Sequence, residues 1–273
     1  MIQWYPGHMT SARRIIAEIM PSIDVVIEVL DARMPRASAN PVMTELRGTK
    51  PCVKILSKSD LADPVVTKAW IAEIQIDPTA KALATTTTKE GDIRKRIPEL
   101  CQKLAPHRTG VKTLRTMIVG VPNVGKSTLI NTLMQRAVAK TGDEPAVTKT
   151  IQRVTLKSGM TISDHPGLLW PKIEDENVAL RLALGGAIPD TALDYERVAL
   201  FGAEIFLEHY PEEVKARYKL AELPASASEL LRIIGTKRGA LKKGGALDMH
   251  KASDALIHDF RDGILGKISL ERP

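Results

Sequence analysis

The sequence of 273 residues has few cysteines, few aromatic residues and no long apolar run. Its two cysteines, Cys52 and Cys101, lack the spacing of a zinc site or a disulfide framework, so we expect two reduced thiols. The 4% aromatic content predicts a core of aliphatic side chains. No apolar stretch approaches the roughly 20 residues that cross a bilayer, and the first twenty residues lack a secretory-signal pattern. We therefore expect a soluble, intracellular protein.

The chain is rich in positive charge, with a formal net charge of +7 and a pI near 9.4. Fixed Lys and Arg side chains favour association with phosphate backbones, so a polyanionic partner is expected. Hydrophobic and charged contents of 44% and 26% are typical of globular proteins. The length allows one ordinary domain and one smaller domain.

Short β-branched runs alternate with helical patterns between residues 23 and 155, which predicts a parallel sheet covered by helices. The predicted strands cover residues 23–30, 51–56, 82–85 and 114–119. Each predicted strand ends where a polar motif begins. Ligands bind at the carboxyl edge of such sheets, so we expect these motifs to share one crevice. We assign residues 1–189 to this domain, which consists of an N-terminal segment over residues 1–20 followed by the α/β region.

Strand patterns end after residue 189, and helical periodicity predicts helices over residues 195–209, 211–220, 227–235 and 251–264. We assign residues 190–273 to a small all-α domain. Its acidic and basic residues nearly balance, so the excess positive charge lies in the first 189 residues. One basic cluster occurs in a Gly-rich segment and is either an RNA contact or a solvated loop: Lys237, Arg238, Lys242 and Lys243.

The motif GVPNVGKS at residues 120–127 matches the phosphate-binding loop and lies between a predicted strand and a predicted helix. In this motif, Lys126 neutralises the β- and γ-phosphate oxygens and Ser127 ligates magnesium. The remaining nucleotide contacts expected from the loop are Asn123, Val124, Gly125 and Thr128.

A second phosphate motif, DHPG, covers residues 164–167. The Asp164 carboxylate can hold the magnesium shell, and the Gly167 amide can meet the γ-phosphate. A polar segment between the two motifs suits a mobile switch, in which Thr148 is the candidate for a second magnesium hydroxyl and Thr150 the competing one.

Residues 57–60, SKSD, resemble a guanine-reading motif. Asp60 can accept two hydrogen bonds from the guanine edge, which adenine cannot offer. The stem of Lys58 is expected to lie across the base while its ammonium returns to the phosphate loop. Ser57 stands where this motif usually has Asn, so weaker base affinity is expected. A companion loop includes Thr87 and Thr88, with an alignment that can shift by one residue.

The guanine motif precedes the phosphate loop by about sixty residues, whereas ordinary GTPases have the opposite order. Both motifs contact one nucleotide. The reversal therefore predicts a circularly permuted GTPase domain.

This series of motifs resembles the YlqF/RbgA family of circularly permuted GTPases, which act in assembly of the large ribosomal subunit. The resemblance covers almost the whole chain and includes residues 4–9, 31–35, 40–41, 164–171, 181–188, 259–267 and 270–272. It implies GTP or GDP and Mg²⁺ as ligands, a monomer, a C-terminal domain that contacts rRNA, and hydrolysis stimulated by the immature 50S particle. The implied location is the bacterial cytosol, or the mitochondrial matrix for a eukaryotic source.

The resemblance also implies roles for single residues. Leu168 occupies the position at which many GTPases have a water-orienting Gln. His8 is then the residue implied to orient or activate the attacking water, with simple packing beside Pro6 and Gly7 as the alternative. Asn123 matches a position that helps to hold K⁺ in related GTPases, and it also suits a tight turn. This chain departs from the family's usual residues at His165, Ala146 and Ser57.

We interpret the chain as a GTPase that binds the immature large ribosomal subunit. One alternative is an RNA-binding module with a degenerate, weakly active G domain. A further alternative, a transferase or ATPase that shares only the phosphate loop, is disfavoured by Asp60.

Overall fold

A computed structural model describes residues 7–86, 90–108, 113–134, 152–156, 158–164, 168–192, 194–242 and 245–273. Within these ranges one six-stranded sheet has the order β3-β2-β1-β4-β6-β5. All neighbouring strands are parallel except β5, which is antiparallel to β6. The strands are β1 (Val25–Asp31), β2 (Cys52–Ser57), β3 (Ala80–Ala84), β4 (Arg115–Val119), β5 (Gln152–Thr155) and β6 (Thr161–Asp164). The predicted α/β class is confirmed, and the four predicted strands begin and end within two residues of β1 to β4.

All seven residues of the central strand β1 are buried. A strand buried along its whole length has both faces covered, which is the usual state of parallel sheets. Both cysteines also lie in this core, Cys52 in β2 and Cys101 in a helix, as free thiols. Burial raises the pKa of Cys52 to about 12, so its thiol stays protonated at neutral pH.

Eleven α-helices occur in the described part of the chain. The first seven are α1 (Gly7–Ile19), α2 (Pro35–Ser38), α3 (Pro41–Arg47), α4 (Pro64–Ile74), α5 (Glu90–Leu104), α6 (Lys126–Met134) and α7 (Glu176–Leu184). The last four are α8 (Tyr195–His209), α9 (Pro211–Tyr218), α10 (Ala227–Lys237) and α11 (Met249–Arg261). None of the helices in the described ranges is long and apolar enough to span a membrane.

Side-chain caps fix where several of these helices begin. Asp194 accepts from the amide of Arg197 at the start of α8, and Asp248 accepts from Lys251 at the start of α11. Each cap satisfies an amide that has no partner within the helix. The prediction for α8 is confirmed at both ends. The other three C-terminal helices are confirmed with ends shifted by up to three residues.

Apolar packing is continuous between the sheet and the last four helices, because Val25, Ile118, Phe206 and Leu256 belong to one buried cluster. The proposed boundary between residues 189 and 190 stays a prediction.

The carboxylate of Asp259 joins three of the C-terminal helices. It accepts two hydrogen bonds from Arg217, one from the hydroxyl of Tyr218 and two from Nη2 of Arg238, all at 2.8 to 3.0 Å. Burial alone would raise the pKa of Asp259, but these donors hold the pKa below its ordinary value. The paired carboxylate thus attaches α9 and the end of α10 to α11.

We expect Asp259→Ala to lower the free energy of unfolding by about 2 to 3 kcal/mol, because two guanidinium groups lose their partner. Asp254→Ala on the same helix is the matched control. It breaks only an exposed contact with His258 and should cost at most about 1 kcal/mol. Urea denaturation of both variants measures the difference, and equal costs would contradict the role assigned to Asp259.

Candidate guanine-nucleotide site

The site forms where parallel strands end. β1 ends at Asp31, β2 at Ser57, β4 at Val119 and β6 at Asp164. Because β1, β2, β4 and β6 are parallel, their carboxyl ends lie at one edge of the sheet. Motifs far apart in the sequence are therefore brought to the same crevice.

The phosphate loop connects β4 to α6 and depends on glycine at two positions. A Cβ at Gly120 would lie 2.5 Å from the carbonyl oxygen of Val29, so a side chain would displace the loop from the end of β1. Gly125 has φ +102°, a conformation that other residues rarely adopt. The non-glycine residue Asn123 has φ +55°. These conformations turn the chain into α6, whose first amides have no helical partner and suit phosphate binding.

Lys126 begins α6 and is only 8% exposed. Its ammonium donates to the carbonyl oxygens of Gly120 and Val121 at 3.1 and 2.7 Å. The charge therefore lies within the loop, as the motif predicts. Val124 is buried, and Ser127 and Thr128 on the first turn of α6 are half-buried.

The guanine motif is in direct contact with the phosphate loop. The hydroxyl of Ser57 lies 2.5 Å from the carbonyl oxygen of Val124 and 2.9 Å from that of Leu30. A single hydroxyl proton serves one of these acceptors at a time. A Cβ at Gly125 would lie 3.7 Å from Cβ of Ser57, and Asp60 is exposed at the end of the motif. The predicted convergence of the two motifs is therefore observed.

Lys58 differs from its expected arrangement. Its backbone is left-handed, with φ +54°, which is uncommon for lysine and is often found at functional sites. Its ammonium lies 3.2 Å from Oδ2 of Asp31, not at the phosphate loop as predicted. Burial lowers the pKa of Lys58, and the carboxylate of Asp31 opposes that shift. The correction has a simple cause: the carboxylate of Asp31 is buried, and a buried charge is costly unless a charge of opposite sign pairs with it.

Asp31 and Arg33, which lie in the family-like motif at residues 31–35, form a buried ion pair that no sequence motif predicted. Each side chain is 1% exposed, and Nε and Nη2 of Arg33 donate to the two carboxylate oxygens at 3.0 and 2.8 Å. Burial alone would raise the pKa of Asp31, but the charges of Arg33 and Lys58 hold the pKa well below its usual range. The signal in the sequence was a pair of opposite charges at the carboxyl end of a mostly apolar strand.

Leu168 follows the DHPG motif and is held by backbone contacts. Its amide donates to the carbonyl oxygen of Gly120 at 3.2 Å, and its carbonyl oxygen accepts from the side chain of Asn40 at 2.7 Å. The side chain of Leu168 is 2% exposed. It lies in the core and has no group that could orient water. The anchoring role of Asn40 was also missed.

Several predicted site residues cannot be located in this way. Thr87, Thr88, Thr148 and Gly167 lie outside the described residues. His8 lies in the first turn of α1. Asp164 ends β6, where its backbone pairs in register with Ile118 of β4. The structure describes the backbone of these two residues but not their side chains. Asn123 donates from its amide nitrogen to the carbonyl oxygen of Gly186 at 3.0 Å.

The RNA-contact candidates lie at the end of α10 and beyond it. Lys237 and Lys242 are exposed. Arg238 is also exposed, but its guanidinium pairs with Asp259 and has a structural partner that the prediction did not include. Lys243 lies outside the described residues.

Comparisons with known proteins agree with this geometry. A family model described as 50S ribosome-binding GTPase matches residues 115–195, which begin at β4 and exclude the guanine motif upstream. The chain is 41% identical to Ribosome biogenesis GTPase A of Bacillus pumilus (100% of this chain, 99% of that protein) and 42% identical to that of Bacillus cereus (100% and 94%). A GNP-bound YlqF structure from T. maritima has a TM-score of 0.68 at 31% identity, covering 96% of this chain and 98% of that one.

We expect Ser57→Ala to weaken guanine-nucleotide affinity about five- to tenfold, because the loss of one buried hydrogen bond of roughly 1 kcal/mol loosens the phosphate loop. Titration with a fluorescent GDP derivative measures the change. Ser22→Ala is the matched control, since it removes a hydroxyl contact with the carbonyl oxygen of Ile19 away from the site. An unchanged affinity for Ser57→Ala would contradict the role of this contact.

Proposed function

Because the chain belongs to the Ribosome biogenesis GTPase A family, we propose that it binds a precursor of the 50S subunit and that GTP hydrolysis times its release. The observation that carries the nucleotide part is the contact between Ser57 and the carbonyl oxygen of Val124. It joins a guanine-reading segment to a phosphate-binding loop, as one bound guanine nucleotide requires.

The residues at the sheet edge fit GTP and Mg²⁺. Glycines leave room for phosphates at the loop, Lys126 supplies a buried positive charge, and α6 directs its first amides towards the same place. Bound magnesium would neutralise charge on the β- and γ-phosphate oxygens. Ser127 and Asp164 are the proposed residues that hold it, together with Thr148. Asp60, with Thr87 and Thr88 of the companion loop, is proposed to select guanine.

Hydrolysis needs a group that orients water, and the buried Leu168 cannot do so. We assign this role to His8, with Lys126 and the amide of Gly167 stabilising charge on the transferred phosphoryl group. Slow turnover by the isolated protein follows, because the N-terminal segment must first be placed over the γ-phosphate.

Asn123 supports two interpretations. Its left-handed backbone fits a tight turn, and its amide nitrogen is held by Gly186. The amide oxygen is the atom that would contact K⁺. A potassium ion there would neutralise charge in the transition state.

RNA binding is assigned to the exposed cations at the end of α10 and in the following segment, Lys237 and Lys242, with Lys243 beside them. Arg238 supports them by attaching this segment to α11 through Asp259. The protein is proposed to act as a monomer in the cytoplasm, as expected for a factor that meets bacterial 50S particles.

We expect His8→Ala to reduce hydrolysis stimulated by 50S subunits by about 100-fold, the lower range for a general base, while GDP affinity stays unchanged. Phosphate release with and without 50S subunits measures the change. Lys126→Ala is the reference variant that loses both binding and turnover. Full stimulated activity of His8→Ala would contradict its role, and a lack of stimulation in the unsubstituted protein would favour a weakly active RNA-binding module.

The affinity for 50S subunits should fall with salt, and the plot of log K against log salt has a slope set by the number of phosphate contacts. We expect the double substitution Lys237→Gln and Lys242→Gln to reduce the magnitude of this slope by about two, because each lost contact releases about one counterion fewer. Lys68→Gln with Lys95→Gln, two exposed lysines on α4 and α5, is the charge-matched control. An unchanged slope would exclude this segment as an RNA contact.

A further inference from the structure

Arg33 makes contacts in two directions. Its Nε and Nη2 hold the carboxylate of Asp31. Its Nη1 donates to the carbonyl oxygens of Phe260 and Arg261 at 3.3 and 3.4 Å, and its guanidinium lies 4.6 Å above the ring of Phe260. One buried side chain therefore connects the end of β1 with the end of α11.

The contact with α11 is well suited to a cation. The last carbonyl groups of a helix have no helical partner and carry the negative end of its dipole. Phe260 and Arg261 are the final two residues of α11, and the carbonyl oxygen of Phe260 also accepts from the amides of Asp262 and Gly263. The planar fork of arginine has five N–H donors, so one side chain donates to these carbonyls and bidentately to a carboxylate, whereas a lysine ammonium lacks this fork.

The backbone near Arg33 is also held by the segment after α11. The amide of Leu270 donates to the carbonyl oxygen of Arg33 at 2.6 Å, and the amide of Ile268 donates to that of Leu61, which directly follows Asp60. The segment after α11 thus lies against the backbone of Arg33 and of Leu61, the residue that follows the guanine motif.

Asp31 also forms an ion pair with Lys58, whose ammonium lies 3.2 Å from Oδ2. Lys58 is the residue whose stem is expected to lie across the base. Its ammonium pairs with Asp31, and Asp31 in turn pairs with Arg33.

We propose that Arg33 is a positioning residue that ties Lys58 of the guanine motif to the carboxyl end of α11, so that nucleotide binding and 50S binding are energetically coupled. The coupling to 50S rests on the proposed function. Because Asp259 precedes Phe260 on α11 and holds Arg238, a shift of this helix end changes both the guanine motif and the segment proposed to contact RNA. Such coupling is reciprocal: 50S binding must then change nucleotide affinity by the factor by which nucleotide changes 50S affinity.

A double-mutant cycle on the isolated protein tests the positioning role. Arg33→Lys keeps a cation beside Asp31, so no buried carboxylate is left unpaired, but it loses the connection to α11. Lys58→Ala should lower fluorescent-GDP affinity about tenfold, and Arg33→Lys should lower it several-fold. If Arg33 acts through Lys58, the double variant should be within about twofold of Lys58→Ala alone.

Arg108→Lys is the matched control for this cycle, because Arg108 also pairs with an aspartate whose side chain is only 6% exposed, Asp24, but contacts neither the guanine motif nor α11 in the described structure. It should change GDP affinity by less than about twofold. If Arg33→Lys does not fold, the double substitution Asp31→Asn with Arg33→Gln removes both charges and replaces it. Multiplicative losses in the cycle would overturn the proposal.

The second measurement is the affinity for purified 50S subunits with and without a non-hydrolysable GTP analogue. The analogue should raise the affinity of the unsubstituted protein, and Arg33→Lys should reduce that increase to less than about twofold while leaving the nucleotide-free affinity unchanged. Equal losses with and without the analogue would indicate a purely structural role and overturn the coupling. Failure of the unsubstituted protein to bind 50S subunits would overturn the proposed function instead, and the cycle alone would then decide the role of Arg33.

Discussion

The nucleotide site depends on one constraint, that the carboxyl ends of neighbouring parallel strands lie at the same edge of a sheet. β2 and β4 lie on either side of β1, so the segments that follow them meet above the end of β1. The hydroxyl of Ser57 shows this contact, since it lies within hydrogen-bond distance of the carbonyl oxygens of Leu30 and Val124. The order of the strands along the chain does not matter to this contact. A permuted chain can therefore build the same crevice as an ordinary one.

The edge of the sheet also holds buried charge, which is costly unless it is fully paired. Asp31 is compensated by Arg33 and Lys58, and Arg33 in turn by the carbonyl groups at the end of α11. Asp259, one residue before Phe260, repeats this arrangement with Arg217 and Arg238. The two carboxylates make α11 a shared support of the nucleotide crevice and of the basic segment beyond α10. Apolar packing alone would not fix these positions so closely, because it lacks direction.

Local patterns in the sequence were sufficient for the fold and for the contact between the guanine motif and the phosphate loop. The phosphate loop was predictable because the spacing of its residues follows from the shape of a triphosphate. Both ends of α8 were predicted correctly, and Asp194 caps its first turn. Longer-range pairing was not predictable. Arg33 contacts Phe260 across 227 positions of sequence, and no periodicity indicates such a partner. For the same reason Lys58 was placed at the phosphate loop, and Arg238 was treated as a free surface cation.

The separation between Arg33 and its partners on α11 has a consequence for synthesis. The guanine motif leaves the translating ribosome early, whereas the carbonyl groups that support it are made 227 residues after Arg33. At bacterial and eukaryotic elongation rates this interval is on the order of 10 to 45 seconds. During that time Arg33 at the edge of the sheet lacks the carbonyl groups of Phe260 and Arg261. Only a chain that has been extended past Arg261 can form the contacts between Arg33 and the end of α11.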